Sequence, residues 1–187
     1  MAAPDRLRED SHLQGEQSRG WSKWKLAMVP PDSNRRNLEP RGPGQVGYMS
    51  SSIETGLAER CGIYEWKAKG TRPDQPDNVV LYVGSTCVRR RPQKLRSRII
   101  RYCKYGNHKK DLINEALARG YELWVRVKPA SSERRAESME NDLLRKYDYA
   151  WNKRRNGGHD GLRPDVLPRD SEDSEDSEDS EHWWNFL

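Results

Sequence analysis

The sequence predicts an α+β domain in which a small three-stranded sheet, mixed or antiparallel, is flanked by three helices. Three observations lead to this prediction. Runs of β-branched and aromatic residues indicate strands, apolar residues at helical spacing indicate helices, and glycine- and proline-rich segments separate them. The chain of 187 residues is 33% hydrophobic and 34% charged, which is lean for a globular protein, so part of it is expected to stay unfolded.

Two strands and a turn open the predicted domain. Segments 61–67 and 78–84 are both rich in β-branched and aromatic residues, and the stretch between them is dense in turn formers, which is typical of a hairpin. A third strand is predicted over 121–128, where Leu123, Val125 and Val127 alternate with other residues. In the order strand, strand, helix, helix, strand, helix, at most one parallel crossover fits.

Three helices are predicted from apolar stripes, their caps and their stop signals. Pro92 suits the first turn of the first helix and Gly106 its end, Asn107 and Gly120 are expected to bound the second, and Ser131 or Ser132 is expected to cap the third. The stripes consist of Leu95, Ile99, Tyr102 and Cys103, then Leu112, Ile113, Ala116 and Leu117, then Ala136, Met139, Leu143, Leu144 and Tyr147.

The domain is expected to lie between flanking segments of different character. Residues 1–20 are polar and read as a disordered arm, 21–60 as an N-terminal extension that packs on the domain at 61–155, and 156–187 as a disordered acidic tail with an aromatic end. In the extension, Trp21 and Trp24 are more typical of packing than of stacking on bases.

The charge is unevenly distributed along the chain. The net charge is +5, and residues 168–187 contain eight acidic residues and one basic residue, so the other 167 carry +12. A basic domain attracts polyanions, which makes nucleic acid the first partner to consider, although ordinary solvated charge is an alternative. The three cysteines have no spacing typical of disulfide or zinc frameworks, and no stretch approaches the ~20 apolar residues that cross a bilayer. These features favour a soluble intracellular protein.

Polar residues on apolar helix faces identify candidate functional groups. Arg98 shares the face of Leu95 and Tyr102, Glu140 shares that of the third helix's stripe, and His108 precedes Leu112 by four residues. A buried Glu requires a cation, a metal or an Arg as its partner. A structural Arg98–Glu140 ion pair and a capping or surface role for His108 are the alternatives to catalysis.

Two tripeptides on consecutive predicted strands resemble the signature of the GIY-YIG nuclease family. They are Gly62-Ile63-Tyr64 and Tyr82-Val83-Gly84, and the further segments 95–102 and 140–152 resemble the family's first and last helices. The ending YDYAWNK is similar to that of the plant effector-of-transcription proteins, whose Trp-Lys lead-in resembles WSKWKLAM. Their repeated cysteine motifs are absent here.

The resemblance implies a metal-dependent DNA endonuclease. Tyr64 or Tyr82 would activate the attacking water, Arg98 would hold the scissile phosphate, His108 would assist proton movement, and Glu140 would carry one Mg²⁺ or Mn²⁺ ion. Gly62, Gly84 and Asn152 would have structural roles. Two departures are the long connection between the tyrosines and Ser85, which stands where some relatives have lysine.

Runs of basic residues are expected to contact the DNA backbone. They are Arg89, Arg90, Arg91, Lys109, Lys110, Arg134, Arg135, Lys153, Arg154 and Arg155. The last three also suit a nuclear-import signal, so a nuclear location is expected. The C-terminal HWWNFL is a candidate protein-binding segment. The alternative function is a DNA-binding regulator that keeps the fold without turnover.

Overall fold

The computed structural model of the chain describes residues 19–55, 57–73, 75, 79–86, 94–147 and 149–152. Within them, strands and helices follow the order β1 (Lys25–Val29), β2 (Leu38–Pro40), β3 (Tyr48–Ser50), β4 (Gly62–Gly70), β5 (Val79–Ser85), α1 (Leu95–Tyr105), α2 (Lys110–Ala118), β6 (Tyr121–Pro129) and α3 (Glu133–Lys146). Short 3-10 turns cover Ser51–Glu54 and Asn107–Lys109. No helix among these residues is long and apolar enough to cross a membrane.

The sheet has six strands in the order β2-β3-β1-β6-β4-β5, and every pairing is antiparallel. The prediction of a three-stranded sheet was therefore wrong in size. Its three strands, β4, β5 and β6, form one half, and residues 25–50 add the other half along the free edge of β6. Pro40 lies on the outermost strand, where its missing N–H costs no ladder hydrogen bond.

The three predicted helices are present, with one correction at a cap. Gly106 ends α1 in the left-handed conformation, with φ 71°, and Ser132 caps α3 by accepting a hydrogen bond from the backbone N–H of Arg135 at 3.2 Å. Asn107 does not cap α2, because its own φ of 48° opens a 3-10 turn and α2 begins only at Lys110. Pro92 lies outside the described residues.

Helices cover both faces of the sheet. The larger core lies under α1 and α2, and the smaller one lies under α3, where Leu144 packs with Val80 and Val83. Strand β5 contains a β-bulge. Tyr82 pairs with Trp66 and Val80 pairs with Lys67, which leaves Leu81 as the extra residue. Tyr82 therefore faces the same core as Leu81, although strict alternation would turn it away.

The α3 face of the sheet buries charges that the alternating pattern places toward solvent. Arg126 of β6 and Glu65 of β4 are 3% and 0% exposed and form an ion pair. Trp21 and Trp24 cover the Arg126 guanidinium, whose Cζ lies 4.4 and 4.7 Å from their ring centroids. These contacts favour packing over base stacking for the two tryptophans.

Candidate active site

Two tyrosines from adjacent strands converge under α1. Tyr64 of β4 is fully buried, Tyr82 of β5 is 7% exposed, and their ring centroids lie 6.1 Å apart. The bulge at Leu81 brings them together, because it turns Tyr82 onto the face that Tyr64 occupies. Gly84 makes this approach possible, since a Cβ there would lie 2.6 Å from Tyr64 Oη.

A third phenol, Tyr102 of α1, joins the pair, although the sequence pattern predicts only a place in the apolar stripe of that helix. Tyr64 Oη donates a hydrogen bond to Tyr102 Oη at 3.3 Å, and the Tyr102 ring centroid lies 5.8 Å from that of Tyr64. Tyr102 follows Arg98 by four residues, so one turn of α1 presents both groups to the same place. That spacing is the signal in the sequence that could have placed Tyr102 beside Arg98.

Arg98 reaches the tyrosines from α1 with a half-buried side chain. Its Nε donates to Tyr64 Oη at 3.3 Å, and its Cζ lies 5.3 Å from the Tyr102 ring centroid. Burial alone would lower the pKa of Arg98, but the phenols of Tyr64 and Tyr102 outweigh burial and raise it. The guanidinium is therefore a permanent cation at this site.

His108 and Lys109 enter from the 3-10 turn between α1 and α2. His108 Nε2 shares a hydrogen bond with Tyr82 Oη at 3.3 Å and lies 3.5 Å from Tyr102 Oη. Lys109 is 7% exposed, with Nζ 5.4 Å from the Tyr82 ring centroid, whereas the sequence predicted a surface contact. The turn thus brings an ammonium group to Tyr82, where Ser85 supplies none.

The pKa values describe a site with neutral phenols and a neutral imidazole. Burial raises the pKa of Tyr64 and of Tyr82 well above 10.0, so both are protonated at neutral pH. Burial together with the cations Lys109 and Arg98 lowers the pKa of His108 from 6.5 to about 4. His108 is nevertheless an exposed residue, so it remains available to exchange protons with solvent.

Glu140 lies on α3 with a half-buried side chain, and its charge contributes to the raised pKa of Tyr82. The described residues contain no cluster of three side chains that would hold a metal ion by itself. A lone carboxylate fits an ion such as Mg²⁺, which keeps several waters and takes substrate phosphate oxygens as further ligands. Glu140 is thus compatible with the single-ion site implied by the family resemblance.

Gly62 and Asn152 fix the two strands that carry the tyrosines. A Cβ at Gly62 would lie 2.3 Å from the Lys128 carbonyl oxygen of β6, so a larger residue would separate β4 from β6. The Asn152 side chain pairs with β5, because Val83 N donates to its Oδ1 and its Nδ2 donates to Val83 O, both at 3.0 Å.

The predicted DNA contacts are only partly visible. Lys110 is exposed at the first turn of α2. Arg134 and Arg135 are exposed on α3, whereas Lys109 is buried beside Tyr82. The other predicted contacts lie outside the described residues, as does the C-terminal HWWNFL, so the nuclear location and the protein-binding segment stay predictions. The residues outside are Arg89, Arg90, Arg91, Lys153, Arg154 and Arg155.

A family model for GIY-YIG domain-containing proteins matches residues 21–165. The match begins in the segment that precedes β1, so it includes the three strands of residues 25–50 as well as the segment that holds the tyrosines. Neither a curated protein nor a solved structure matches the chain.

Proposed function

The chain belongs to the GIY-YIG domain family, and from that membership we propose that it is a metal-dependent endonuclease that hydrolyses phosphodiester bonds in DNA. The observation that carries the proposal is the contact network of Tyr64, Tyr82, Arg98 and His108, which come from four separate elements. In-line hydrolysis requires positive charge on the phosphate and a path for the proton of the attacking water. This network has groups for both.

Arg98 is proposed to bind the scissile phosphate. Its Nε donates to Tyr64 Oη, which orients a planar guanidinium whose donors match the geometry of phosphate oxygens. The Arg98 guanidinium, whose pKa is raised, is charged at neutral pH. Tyr64 is fully buried, so its role is to hold Arg98 in this orientation.

Tyr82 is proposed to orient the attacking water, and His108 is proposed to accept its proton. Tyr82 is 7% exposed and Tyr64 is fully buried, so Tyr82 is the phenol proposed to orient the attacking water. His108 is neutral at pH 7 because its pKa is lowered, so it can accept a proton through its hydrogen bond with Tyr82. Tyr102 touches both His108 and Tyr64 and completes the chain of hydrogen bonds.

Glu140 would hold the single Mg²⁺ or Mn²⁺ ion, which when bound supplies positive charge to the scissile phosphate and the leaving 3′ oxygen. The Glu140 carboxylate on its own raises the pKa of Tyr82. Neutralising the Glu140 carboxylate would remove this effect and so make ionisation of the Tyr82 phenol easier.

The test is nicking of supercoiled plasmid and of flapped duplexes by the purified protein with Mg²⁺ or Mn²⁺. Glu140→Gln and Arg98→Ala are expected to abolish cleavage and to leave DNA binding largely intact. Matched controls are Glu137→Gln on the exposed side of α3 and Arg96→Ala on another side of α1, and both should nick like the wild type. Unchanged nicking by Glu140→Gln or Arg98→Ala would defeat the assignment.

A DNA-binding regulator without turnover is the second candidate. The observation that favours it is the high pKa of both Tyr64 and Tyr82, because neither phenol is a ready base. The resemblance of the YDYAWNK ending to plant effector-of-transcription proteins points the same way. Tight binding with no cleavage of any DNA form by the wild type would select this function.

A further inference from the structure

One side of α1 carries a regular line of basic and aromatic residues. Lys94, Arg98, Arg101 and Tyr105 are spaced by four, three and four residues. At 3.6 residues per turn they fall within about 60° of one another and extend over roughly 16 Å along the helix. We call these four residues the α1 stripe.

The α1 stripe borders the site and is distinct from the buried face of the helix. Leu95, Ile99, Tyr102 and Cys103 face the core, and the stripe lies beside them. Arg98 belongs to both the stripe and the tyrosine network. The line therefore begins one turn before Arg98 and continues about two turns beyond it, across the surface next to the proposed phosphate site.

The basic members of the α1 stripe are accessible to a polyanion. Arg101 is exposed, and no residue in the described part of the chain forms an ion pair with it. Lys94 pairs with Glu59 at 3.3 Å, but 62% of its side chain is exposed, and such surface pairs are weak enough to yield to a phosphate.

Tyr105 ends the stripe with an aromatic ring that is 56% exposed. The ring lies against the backbone of Gly42, because a Cβ at Gly42 would come within 3.0 Å of Tyr105 Cδ1. This contact restricts the orientation of the ring without covering it. An oriented, exposed ring beside cations is the type of surface on which nucleic-acid bases stack.

We propose that the α1 stripe is a track for one DNA strand and that Tyr105 stacks on an unpaired base about three nucleotides from the phosphate at Arg98. Seven residues of helix span about 10 Å, which equals three nucleotides of a strand that keeps the ~3.4 Å stacked spacing. Bases inside a duplex are already stacked on both sides, so Tyr105 selects DNA with unpaired nucleotides, such as a flap or a gap. The position of Arg98 on the scissile phosphate rests on the proposed function.

The first test is binding, which does not depend on cleavage. A flapped duplex carries 2-aminopurine at each of the first five flap nucleotides in turn, and its fluorescence is followed in EDTA as the full-length protein is added. We expect quenching confined to one or two adjacent positions. Tyr105→Ala should abolish this quenching and weaken flap binding roughly tenfold, whereas Tyr105→Phe should keep both.

Two controls separate stacking from general charge. Tyr48→Ala removes the other exposed tyrosine, which is 37% exposed at the start of β3 and does not belong to the α1 stripe, and it should leave quenching and affinity unchanged. Arg101→Ala should weaken flap and duplex binding alike and reduce the salt dependence by about one phosphate contact.

The outcomes distinguish the track from the proposed function. Undiminished quenching and flap affinity in Tyr105→Ala would overturn the track, and so would quenching spread evenly over all five positions. If the wild type cleaves flaps without localised quenching, the nuclease proposal stands and the track fails. If the wild type shows localised quenching lost in Tyr105→Ala but never cleaves, the track stands and the nuclease proposal fails.

Discussion

The buried ion pair between Arg126 and Glu65 makes a quantitative prediction about stability. Arg126 Nε donates to Glu65 Oε2 at 2.7 Å, and Tyr149 Oη donates to Glu65 Oε1 at 2.7 Å. The two charged side chains are only 4% and 0% exposed. Arg126→Met removes the cation and leaves the Glu65 carboxylate in the interior without its guanidinium partner.

Breaking a buried pair by removing one partner costs about 3–5 kcal/mol, because the remaining charge is desolvated without compensation. For a chain of this size each kcal/mol lowers Tm by ~2–4 °C, so Arg126→Met should lower Tm by roughly 6–20 °C. Urea unfolding followed by tryptophan fluorescence gives the free energy directly. The matched control is Arg145→Met, since the Arg145–Asp142 pair is 75% and 54% exposed and should be worth under about 1 kcal/mol.

The double variant Glu65→Leu/Arg126→Met tests whether the loss of stability in Arg126→Met comes from the unpaired charge of the buried Glu65 carboxylate. It replaces both charges with apolar groups and should recover most of the loss seen in Arg126→Met. A loss below about 1 kcal/mol in Arg126→Met would refute the assignment of the pair as a buried charge pair. A double variant that loses as much as the two single variants together would show that packing, not charge, sets the cost.

Three further predictions follow from the same geometry. In Gly84→Ala the added methyl would lie 2.6 Å from Tyr64 Oη, so urea unfolding should show a loss of about 1–3 kcal/mol and nicking should fall with it. The pKa of His108 drops from 6.5 in its ordinary state to about 4 in the fold. The unfolded chain alone therefore binds that proton as pH falls from 6.5 toward 4, stability declines over this range, and His108→Gln should show a shallower decline in urea titrations. Arg41 is 7% exposed and donates to the carbonyl oxygens of Cys103 and Val46, both at 2.6 Å, so Arg41→Met should cost about 1–3 kcal/mol by leaving them unpaired.

The sequence predicted the elements whose patterns are long enough to carry a period. Strands β4 and β6 have nine residues each, and the three helices carry clear apolar stripes. Strands β2 and β3 have three residues each and lie in a proline- and glycine-rich run, so no alternation is visible. They form because β1 pairs with the free edge of β6, β3 then pairs with β1, and β2 pairs with β3. Such pairing between distant segments leaves little trace in the local sequence.

Positions in the candidate site follow the sequence prediction where helical spacing is enough and depart from it where the backbone is irregular. Arg98 falls on its predicted face because α1 is regular from Leu95 to Tyr105. Lys109 was expected at the surface, but Asn107 adopts φ 48° and opens a 3-10 turn, which rotates Lys109 toward Tyr82. A single left-handed residue thus changed the surroundings of the next two side chains, and helical periodicity does not detect that change.

The orientation of Tyr82 depends on residues about seventy positions later in the chain. A bulge frees one residue from the regular ladder, and a strand at the sheet's edge has no second neighbour to fix it. Here Trp151 N donates to Leu81 O at 2.9 Å, and Asn152 pairs with both backbone groups of Val83, so the residues on either side of Tyr82 are held. Tyr149 anchors the same short segment on Glu65, the residue after Tyr64. The segment after α3 therefore links the strand of Tyr82 to the strand of Tyr64, and the helix that carries Glu140 leads directly into it.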